Sequence, residues 1–463
     1  MSNFEERFHS NKMKKRIRFL VFIAICITVP VFLYSQVSVP NDSISVYTID
    51  QCIHYAMDHH PGLNQAYLNS RIVSTTNAIN LSGWLPQVNV IGNGLHYIQL
   101  PTTLTANSAN PGGTLIATKT GIVNTVTPQL SVSETIFSPQ LLFAATTAHL
   151  YSRQASENID SSKIFIVTAV SKSFYNLLFT LEQITVLQED TARLSQNVND
   201  AYNQYVGGIV DETDYQQAMI TLNNSKAQLR QQIENVAPEY ASLKQLMGYP
   251  PEKQFNVVFD TLQMEHEIAF DTTQPLLYEN RIEYRQLQTA KDILHHQTLS
   301  NVFSFFPTIS AVYSYNYEYE TDASSDYFKN VYPYSYVGLS LNFPIFTGFS
   351  RIENLHRSKL QEEIADWSEV NLKAQLYTEY TLALANYKSN LSNWQLMNDN
   401  QERAKNVYRV VSLQYKQGVV PYLNIIVAES NLITAEIGSL DALFQLLSSK
   451  IDLEKALGKI SYP

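Results

Sequence analysis

The stretch QYVGGIV at residues 204–210 returns as QYKQGVV at residues 414–420, an offset of 210 residues. The same offset relates the Leu-Met-Gly of residues 246–248 to the Ala-Leu-Gly of residues 456–458. A repeat of this length exceeds the roughly 20–50 residues of a stacked solenoid unit. The sequence therefore predicts a half-domain that is present twice, with its two copies packed together.

Each copy contains a very long helical stretch. Residues 140–205 contain no Pro and no Gly, and apolar residues recur there at intervals of three and four. At ~1.5 Å per residue such a helix is on the order of 100 Å long, and it needs a coiled-coil partner along its side. The partner follows directly, because Gly207-Gly208 ends the first helix and a second apolar seam runs back. We predict long hairpins at residues 139–247 and 348–458, with a kink at Pro238.

Shorter elements precede each hairpin. Helices are predicted at about residues 48–80 and 276–303. Alternation of apolar and polar residues predicts two strands in each copy. The strands are placed at about residues 86–99, 122–137, 306–320 and 333–346. The predicted organisation is a first repeat at 36–248, a connection at 249–275 and a second repeat at 276–463.

The strands of the second copy have an apolar or aromatic face and a polar face. This pattern over about ten residues is typical of a transmembrane barrel strand, although strands of a soluble sandwich alternate too. The side chains assigned to the lipid-facing surface are Tyr313, Tyr315, Tyr317, Leu339, Leu341 and Phe343. Four strands cannot close a barrel, since about eight are needed. We therefore expect subunits to pool their strands, with the loops 100–121 and 321–332 at the exposed hairpin ends.

The N-terminus predicts export. Four basic residues between positions 14 and 18 precede a 15-residue apolar run, which is typical of a secretory signal peptide, predicted at residues 1–35 with translation starting at Met1 or Met13. Without its six basic and two acidic residues, totals of 32 and 42 become 26 and 40, a net charge of −14. Such an acidic chain is a poor partner for nucleic acid. Cys52 alone remains, so an internal disulfide is excluded. No later stretch reaches about 18 consecutive apolar residues, so we expect no transmembrane helix after the signal peptide.

Three short motifs accompany the two repeated hairpin turns: HPGL at residues 60–63, NRIEY at 280–284 and FPIFTG at 343–348. In these features the chain resembles the TolC-type outer-membrane efflux channels, over nearly all of its predicted mature part. The resemblance implies a mainly α protein with a transmembrane β part. It implies a homotrimer in which each subunit gives four strands to one 12-stranded barrel, continuous with a periplasmic α-helical tunnel.

The resemblance also implies a function. The protein would be a passive exit duct in the outer membrane of a Gram-negative bacterium, with a large periplasmic part and contact with outer-membrane lipid. It would serve a tripartite efflux or type I secretion system. Small molecules or exported protein would reach it from an inner-membrane pump through a periplasmic adaptor protein.

The hairpin tips are the site that the resemblance implies for the periplasmic aperture and the adaptor contact. The residues assigned to it are Tyr205, Gly208, Asp211, Thr213, Asp214, Tyr415, Gly418, Pro421 and Asn424. Family members carry acids in the second tip, where this chain has Asn424 and Val427. Negative charge at the tips would then come from Asp211, Glu212 and Asp214 of the first copy.

No enzyme motif is found in the sequence. It contains no Walker-type phosphate loop, no His-Glu-x-x-His and no Gly-x-Ser-x-Gly. His54, His59 and His60 lie close together on a predicted helix, but a solvated helix end explains them better than a metal site. We therefore expect no catalytic residues, no cofactor and no metal. An exported coiled-coil structural or adhesive protein is the alternative, and an adaptor protein is a third reading; neither accounts for strand pairs beside two hairpins.

Overall fold

The computed structural model describes residues 45–106, 115–258, 268–323, 326 and 328–463. The signal peptide predicted at 1–35 lies outside these ranges, as do parts of the predicted loops and of the predicted connection. The elements up to the connection are β1 (Ser45–Tyr47), α1 (Ile49–His59), α2 (Pro61–Leu81), β2 (Gln87–His96), β3 (Thr102–Thr105), β4 (Ile116–Lys119), β5 (Asn124–Phe137), α3 (Pro139–Val206) and α4 (Glu212–Met247). After β6 (Phe255–Val257) come α5 (Ile282–Phe303), β7 (Thr308–Thr321), β8 (Val331–Asn342), α6 (Ser350–Lys416) and α7 (Tyr422–Ala456).

The two hairpin turns have the same backbone conformation. In the first turn Gly208 N donates to the Tyr205 carbonyl at 3.0 Å, and Ile209 N donates to the Gln204 carbonyl at 2.9 Å; the corresponding distances in the second turn are 2.9 and 2.8 Å. Gly208 and Gly418 have φ of +71° and +72°. Glycine adopts this left-handed conformation readily, and the paired bonds satisfy the last carbonyls of the helix. The repeated sequence motif is therefore a repeated helix-ending motif.

Both return helices end against the first helices of their own repeats. A left-handed glycine, Gly248 or Gly458, follows each helix and packs on the backbone of residues 59–60 or of Asn280. Beside the second contact lies Arg281, which is 2 % exposed. Its guanidinium binds Glu283 at 3.0 Å, Glu379 at 2.8 Å and the Ala456 carbonyl at 3.0 Å. The NRIEY motif thus connects α5, α6 and the end of α7.

Four strands form one antiparallel sheet in the order β2-β5-β7-β8, so strands from both repeats share it. The β5–β7 pair in the centre joins the two repeats from Asn124–Thr321 to Phe137–Ile309. Among the described residues no strand pairs with the outer edges of β2 and β8. These edges offer rows of backbone groups to a further strand.

The helices pack around two groups of buried apolar residues. The larger group contains residues of α1, α2, α3, α4, α6 and α7, including Phe174, Tyr387 and Leu446. The smaller group lies near the hairpin turns and contains Leu194, Val198, Ala201, Ala218, Leu222, Tyr415, Tyr422 and Ile425. Small residues such as Ala201 and Ala218 allow the helices to approach closely.

One described helix, α3, has an 18-residue window long and apolar enough to cross a membrane. The sequence-based expectation of no such segment used uninterrupted apolar runs as its criterion. This window contains polar residues as well and is apolar only on average. However, 56 % of the window is buried inside the protein. Burial against the other helices accounts for its composition without a membrane.

The helix predicted at 48–80 is in fact two helices. It is interrupted at His60, because Pro61 has no N–H to continue a helix and instead occupies the first position of α2. The His60 ring accepts a hydrogen bond from Gly62 N at 3.1 Å and so caps α2. The helix predicted at 276–303 begins later, at Ile282. In α4 the helix continues through Pro238, and the kink stays a prediction.

The strands also differ from the expectation. The loop predicted at 100–121 contains a short hairpin, in which Thr102–Thr105 pairs with Ile116–Lys119. β8 ends at Asn342 and not at residue 346. Pro344 follows closely and cannot donate to a sheet ladder. The predicted connection contains β6, which pairs with β1.

We expect Gly458→Ala to destabilise the protein more than Gly418→Ala. Both glycines have left-handed backbones, with φ of +68° and +72°, so both changes cost ~1–2 kcal/mol of strain. A Cβ at 458 would also lie 2.5 Å from the Asn280 carbonyl oxygen, whereas nothing lies within 4 Å at 418. The loss at 458 should therefore exceed roughly 3 kcal/mol. Thermal unfolding in detergent followed by circular dichroism measures it, and equal midpoints would contradict the contact.

Candidate functional site

The two hairpin turns lie side by side and enclose a cleft of about 720 Å³. Six of the nine predicted tip residues line this cleft: Gly208, Asp211, Asp214, Tyr415, Gly418 and Pro421. Tyr205, Thr213 and Asn424 are exposed beside it and do not line it. The structure therefore brings together two segments that are 210 residues apart in the sequence.

Two tyrosines form the buried wall of the cleft. Tyr415 is 4 % exposed, and its ring lies 5.5 Å from the ring of Tyr422. Burial raises the pKa of Tyr415 to about 12, and the charges of Asp214 and Asp200 add to this effect. Burial likewise raises the pKa of Tyr422. Both phenols stay neutral at ordinary pH, so the carboxylates provide the negative charge of the cleft.

The two tips differ in charge but not in geometry. Asp211 precedes α4 at the position that Pro421 occupies before α7. Asp214 N donates to the Asp211 carbonyl at 3.1 Å, and Asn424 N donates to the Pro421 carbonyl at the same distance. The acids of the first tip therefore stand where the second tip is neutral. Carboxylates at a helix N-terminus interact favourably with the helix dipole.

Apolar side chains project around the cleft. Ile209, Val419 and Leu423 are 75, 69 and 65 % exposed. Large apolar side chains clustered on a protein surface mark an interaction site.

A buried charged cluster lies behind the smaller apolar group, and we call it the inter-hairpin network. It consists of Asp190, Arg193 and Asn197 of α3, Ser225 of α4, Tyr408 of α6, and Glu429 and Glu436 of α7. Arg193 donates to Glu429 at 3.1 Å and to Glu436 at 3.3 Å. Asn197 donates to the other Glu429 oxygen at 3.0 Å, and Ser225 donates to Asp190 at 2.5 Å. The network thus joins all four long helices.

The inter-hairpin network has more acid than base. Asp190 and Glu429 are 0 and 1 % exposed, and a single guanidinium serves three carboxyl groups. Burial raises the pKa of Asp190, of Glu429 and of Glu436, and hydrogen bonds and the Arg193 charge offset this only in part.

The register of the sheet separates an apolar face from a polar face. Directly paired residues share a face, and one row runs Val90, Leu130 and Tyr315, while another runs Val132, Tyr313 and Val337. The opposite face carries rows such as Asn89, Ser131 and Ser314, which β8 continues with Tyr336, and it also carries Glu318.

The residues predicted to face lipid follow this register. Tyr313, Tyr315, Tyr317, Leu339 and Leu341 lie on the apolar face. Tyr313 and Tyr317 are about two-fifths exposed, whereas Tyr315 is half-buried. Phe343, which lies beyond the end of β8, is 54 % exposed.

The histidines near α1 have structural contacts. His59 stacks on Tyr55 with ring centroids 4.0 Å apart, and its Nδ1 lies 3.0 Å from the Tyr55 carbonyl oxygen. His60 caps α2, as described above. Within the described ranges no group of three or more His, Cys, Asp or Glu residues could hold a metal ion.

Comparisons with known proteins agree with this architecture. The family model "Outer membrane efflux protein" matches residues 301–459. This match bears out the resemblance to the TolC-type outer-membrane efflux channels. The probable efflux pump outer membrane protein TtgC of Pseudomonas putida is 22 % identical over 89 % of this chain and 82 % of its own length.

Solved structures show the same fold at low sequence identity. The outer membrane channel CmeC of Campylobacter jejuni superposes with a TM-score of 0.72 at 16 % identity, covering 94 % of both chains. The transmembrane channel CusC superposes with a TM-score of 0.73 at 15 % identity, covering 93 % of this chain and 99 % of CusC.

This efflux channel resides in the outer membrane and has a large periplasmic part. The family consists of channels and not of enzymes, so the expectation of no catalytic function is confirmed. Its general role as an outer-membrane exit duct of efflux systems is confirmed too, which sets aside the coiled-coil structural or adhesive alternative.

Sequence reasoning missed the inter-hairpin network. Glu429 and Glu436 interrupt the apolar seam of α7 that contains Leu432, and they are seven positions apart, which places them on one helix face. Asp190 and Arg193 are three residues apart on α3. The signal that could have revealed the network is the presence of carboxylates on the apolar stripe of a helix. A buried carboxylate needs a partner, whereas an exposed one does not.

We expect Arg193→Met to destabilise the helical hairpins at neutral pH. Removing the guanidinium leaves buried carboxylates without a cation, which costs roughly 3 kcal/mol. The loss should shrink as the pH falls, because protonation neutralises carboxyl groups whose pKa is raised. Arg403→Met is the matched control, since Arg403 pairs with Asp399 on the exposed surface of α6 and its loss should leave the midpoint unchanged. Equal thermal midpoints for the two variants would show that the network does not stabilise the packing of the hairpins.

Proposed function

We propose that this channel is a homotrimeric exit duct that takes its cargo from an inner-membrane pump through a periplasmic adaptor protein. One observation carries the proposal: a sheet with one apolar face, one polar face and two edges with which no described strand pairs. Such a sheet is incomplete as a monomer in lipid, because unpaired backbone groups are costly there.

Three copies would complete the sheet. Pairing of β8 of one subunit with β2 of the next satisfies both edges, and closure of three such sheets makes a barrel of twelve strands. The main strands have 10, 14, 14 and 12 residues. Transmembrane strands need about 9–11 residues. The apolar rows would then face lipid, and the polar rows would line an aqueous lumen.

The sequence of the lumen face fits a passive duct. Ser314 and Asn316 are buried on that face and hydrogen-bond at 3.0 Å, and Gln129 donates to Ser314 at 2.8 Å. These neutral polar groups offer no strong site that would retain a solute, and Glu318 adds negative charge on the same face. Discrimination between cargoes would rest with the pump that feeds the duct.

The tips would form the periplasmic aperture and the adaptor contact. Acidic Asp211 and Asp214 line the cleft, and apolar Ile209, Val419 and Leu423 project around it. Apolar side chains with a polar surround are suited to a protein partner. Opening would require the two hairpins to move apart at the contacts within residues 205–215 and 415–427.

Small-molecule efflux is favoured over type I protein secretion. The curated relatives TtgC and ArpC are named as outer membrane proteins of efflux pumps. No described residue of the tip cleft favours a polypeptide as cargo. We therefore propose small molecules as the cargo.

Planar-bilayer conductance of the purified protein, with its mass determined in the same detergent, tests the proposal. We expect a trimer with steady, slightly cation-selective single-channel currents. A monomer without current would contradict the pooled barrel.

Charge reversal at the tip tests the aperture. Asp214→Lys should lower the preference for cations by roughly twofold or more, because it places positive charge in the narrow cleft. Asp399→Lys, on the exposed surface of α6 away from the tips, is the control and should leave selectivity as in the wild type. Unchanged conductance and selectivity in Asp214→Lys would remove Asp214 from the aperture.

Charge on the two faces of β8 tests the orientation of the sheet. Leu339→Lys should cost about 2–4 kcal/mol in the membrane, because it places an ammonium against lipid. The neighbouring Ser340→Lys lies on the opposite face and should be tolerated. Yield of trimer from the outer-membrane fraction compares them, and a greater loss for Ser340→Lys would invert the assignment of the faces.

A further inference from the structure

We infer that the inter-hairpin network holds a proton between Asp190 and Glu429 and thereby acts as a latch between the two hairpins of each subunit. The inference rests on the proposed function, since what the latch restrains is the opening of the duct. The ligand is a proton, and the site is the carboxyl pair between α3 and α7.

The hydrogen bonds around the pair require a proton. The two carboxyl groups are close enough to hydrogen-bond with each other, yet ionised carboxylates only accept. Oδ2 of Asp190 accepts from Ser225, whereas Oδ1 is buried and accepts no hydrogen bond from any described residue. Its distance to Arg193 is 3.6 Å, which is longer than a hydrogen bond. A proton between the carboxyl groups completes the arrangement.

The proton belongs on Asp190. Glu429 already accepts from Arg193 on one oxygen and from Asn197 on the other, and the Tyr408 hydroxyl also hydrogen-bonds to it. Three donors stabilise Glu429 as the carboxylate. Asp190 is then the neutral acid of the pair, and the pair carries one negative charge.

The surroundings make this site responsive to pH. The charged and titratable groups facing it are Glu189 and Arg193 of α3, Lys405 and Tyr408 of α6, and Tyr422 and Glu436 of α7, while α4 contributes the neutral Ser225. Arg193 is shared with Glu436, so it cannot compensate a second charge on the pair. Burial raises the pKa of both carboxyl groups.

The sign of the effect follows from the proton count. Between the ordinary carboxyl pKa and the raised pKa, the closed network binds more protons than the separated hairpins do. Its stability therefore falls as pH rises through that interval. Loss of the proton leaves two adjacent buried anions, one on each hairpin, and their repulsion favours separation. Each unit by which the pKa is raised can shift the closed–open equilibrium by up to about tenfold.

The position of the network suits a latch. Arg193 lies 13 residues before the end of α3 at Val206, about 20 Å along the helix axis. The smaller apolar group lies between the network and the turns. Weakening the network would therefore leave eight buried apolar residues to hold the tips together.

Asp190→Asn is the informative variant. The Asn side chain has the shape of a protonated Asp, its amide nitrogen can donate to Glu429, and its oxygen can accept from Ser225. It should therefore fold and keep the latch closed at every pH. Asp441→Asn makes the same chemical change on the exposed surface of α7 and is the matched control.

Two readouts separate this inference from the proposed function. Infrared difference spectra of the full chain in detergent should show, at about pH 7, the carbonyl stretch of a buried protonated carboxyl group that Asp190→Asn lacks and Asp441→Asn keeps. In bilayers, channel opening should rise as the pH is raised above the ordinary carboxyl pKa in the wild type and in the control, and stay at its low value in Asp190→Asn.

The outcomes are distinct. A protonated-carboxyl band that is equal in the wild type and Asp190→Asn overturns the proton site, and an unchanged pH response in Asp190→Asn overturns the latch. If Asp190→Asn fails to assemble, Glu429→Gln serves in its place, since it too removes the shared acidic proton. The band without any wild-type current would support the proton site and contradict the exit duct instead.

Discussion

A helix of 68 residues depends on the elements that pack along its side. The first half of α3 packs on α2 and α5, and its second half packs on α4 and α7. Two groups of buried apolar residues provide this contact, one around Phe174 and Leu446 and one around Leu194 and Ile425. The sheet, the connection and the tip cleft all take their positions from these helices.

Duplication explains the geometry but not the chemistry of the tips. Gly208 and Gly418 end their helices with the same backbone conformation, and the same bond closes the first turn of α4 and of α7. The backbone requirement is equal in both copies, so glycine stands at both positions. The side chains are free to differ, so Asp211 and Pro421 occupy equivalent places and the acidic residues of the cleft come from one copy, whereas Lys416 of the other copy lines it too.

Much of the fold could be predicted because its determinants are periodic. The spacing of apolar residues in α3 and the alternation along β7 repeat over many residues, and the offset of 210 doubles each observation. The break at His60 could not be read from periodicity, since α1 and α2 together look like one helix. The β3–β4 hairpin was missed because its Thr-rich strands do not alternate clearly.

The inter-hairpin network was harder still to predict from the sequence, because no local pattern shows which buried carboxylates contact each other. Asp190 and Glu429 are 239 residues apart, and only the packing of α3 on α7 brings them together. The tip assignments came from a resemblance and rest on the same packing. For both regions, sequence indicates the residue types and the fold decides their neighbours.

The contrast between the apolar groups and the network explains how such helices could be both stable and able to part. Apolar contacts hold at any pH, since no proton enters their free energy. A buried ion cluster adds little net stability over well-packed apolar residues, because desolvation offsets the attraction between its charges. Leu or Met at positions 190, 193 and 429 would join the two apolar groups into one continuous seam. The polar residues at these positions instead make the contact between the hairpins depend on a proton. They lie just behind the smaller apolar group, so separation of the tips would break the contacts of that group alone.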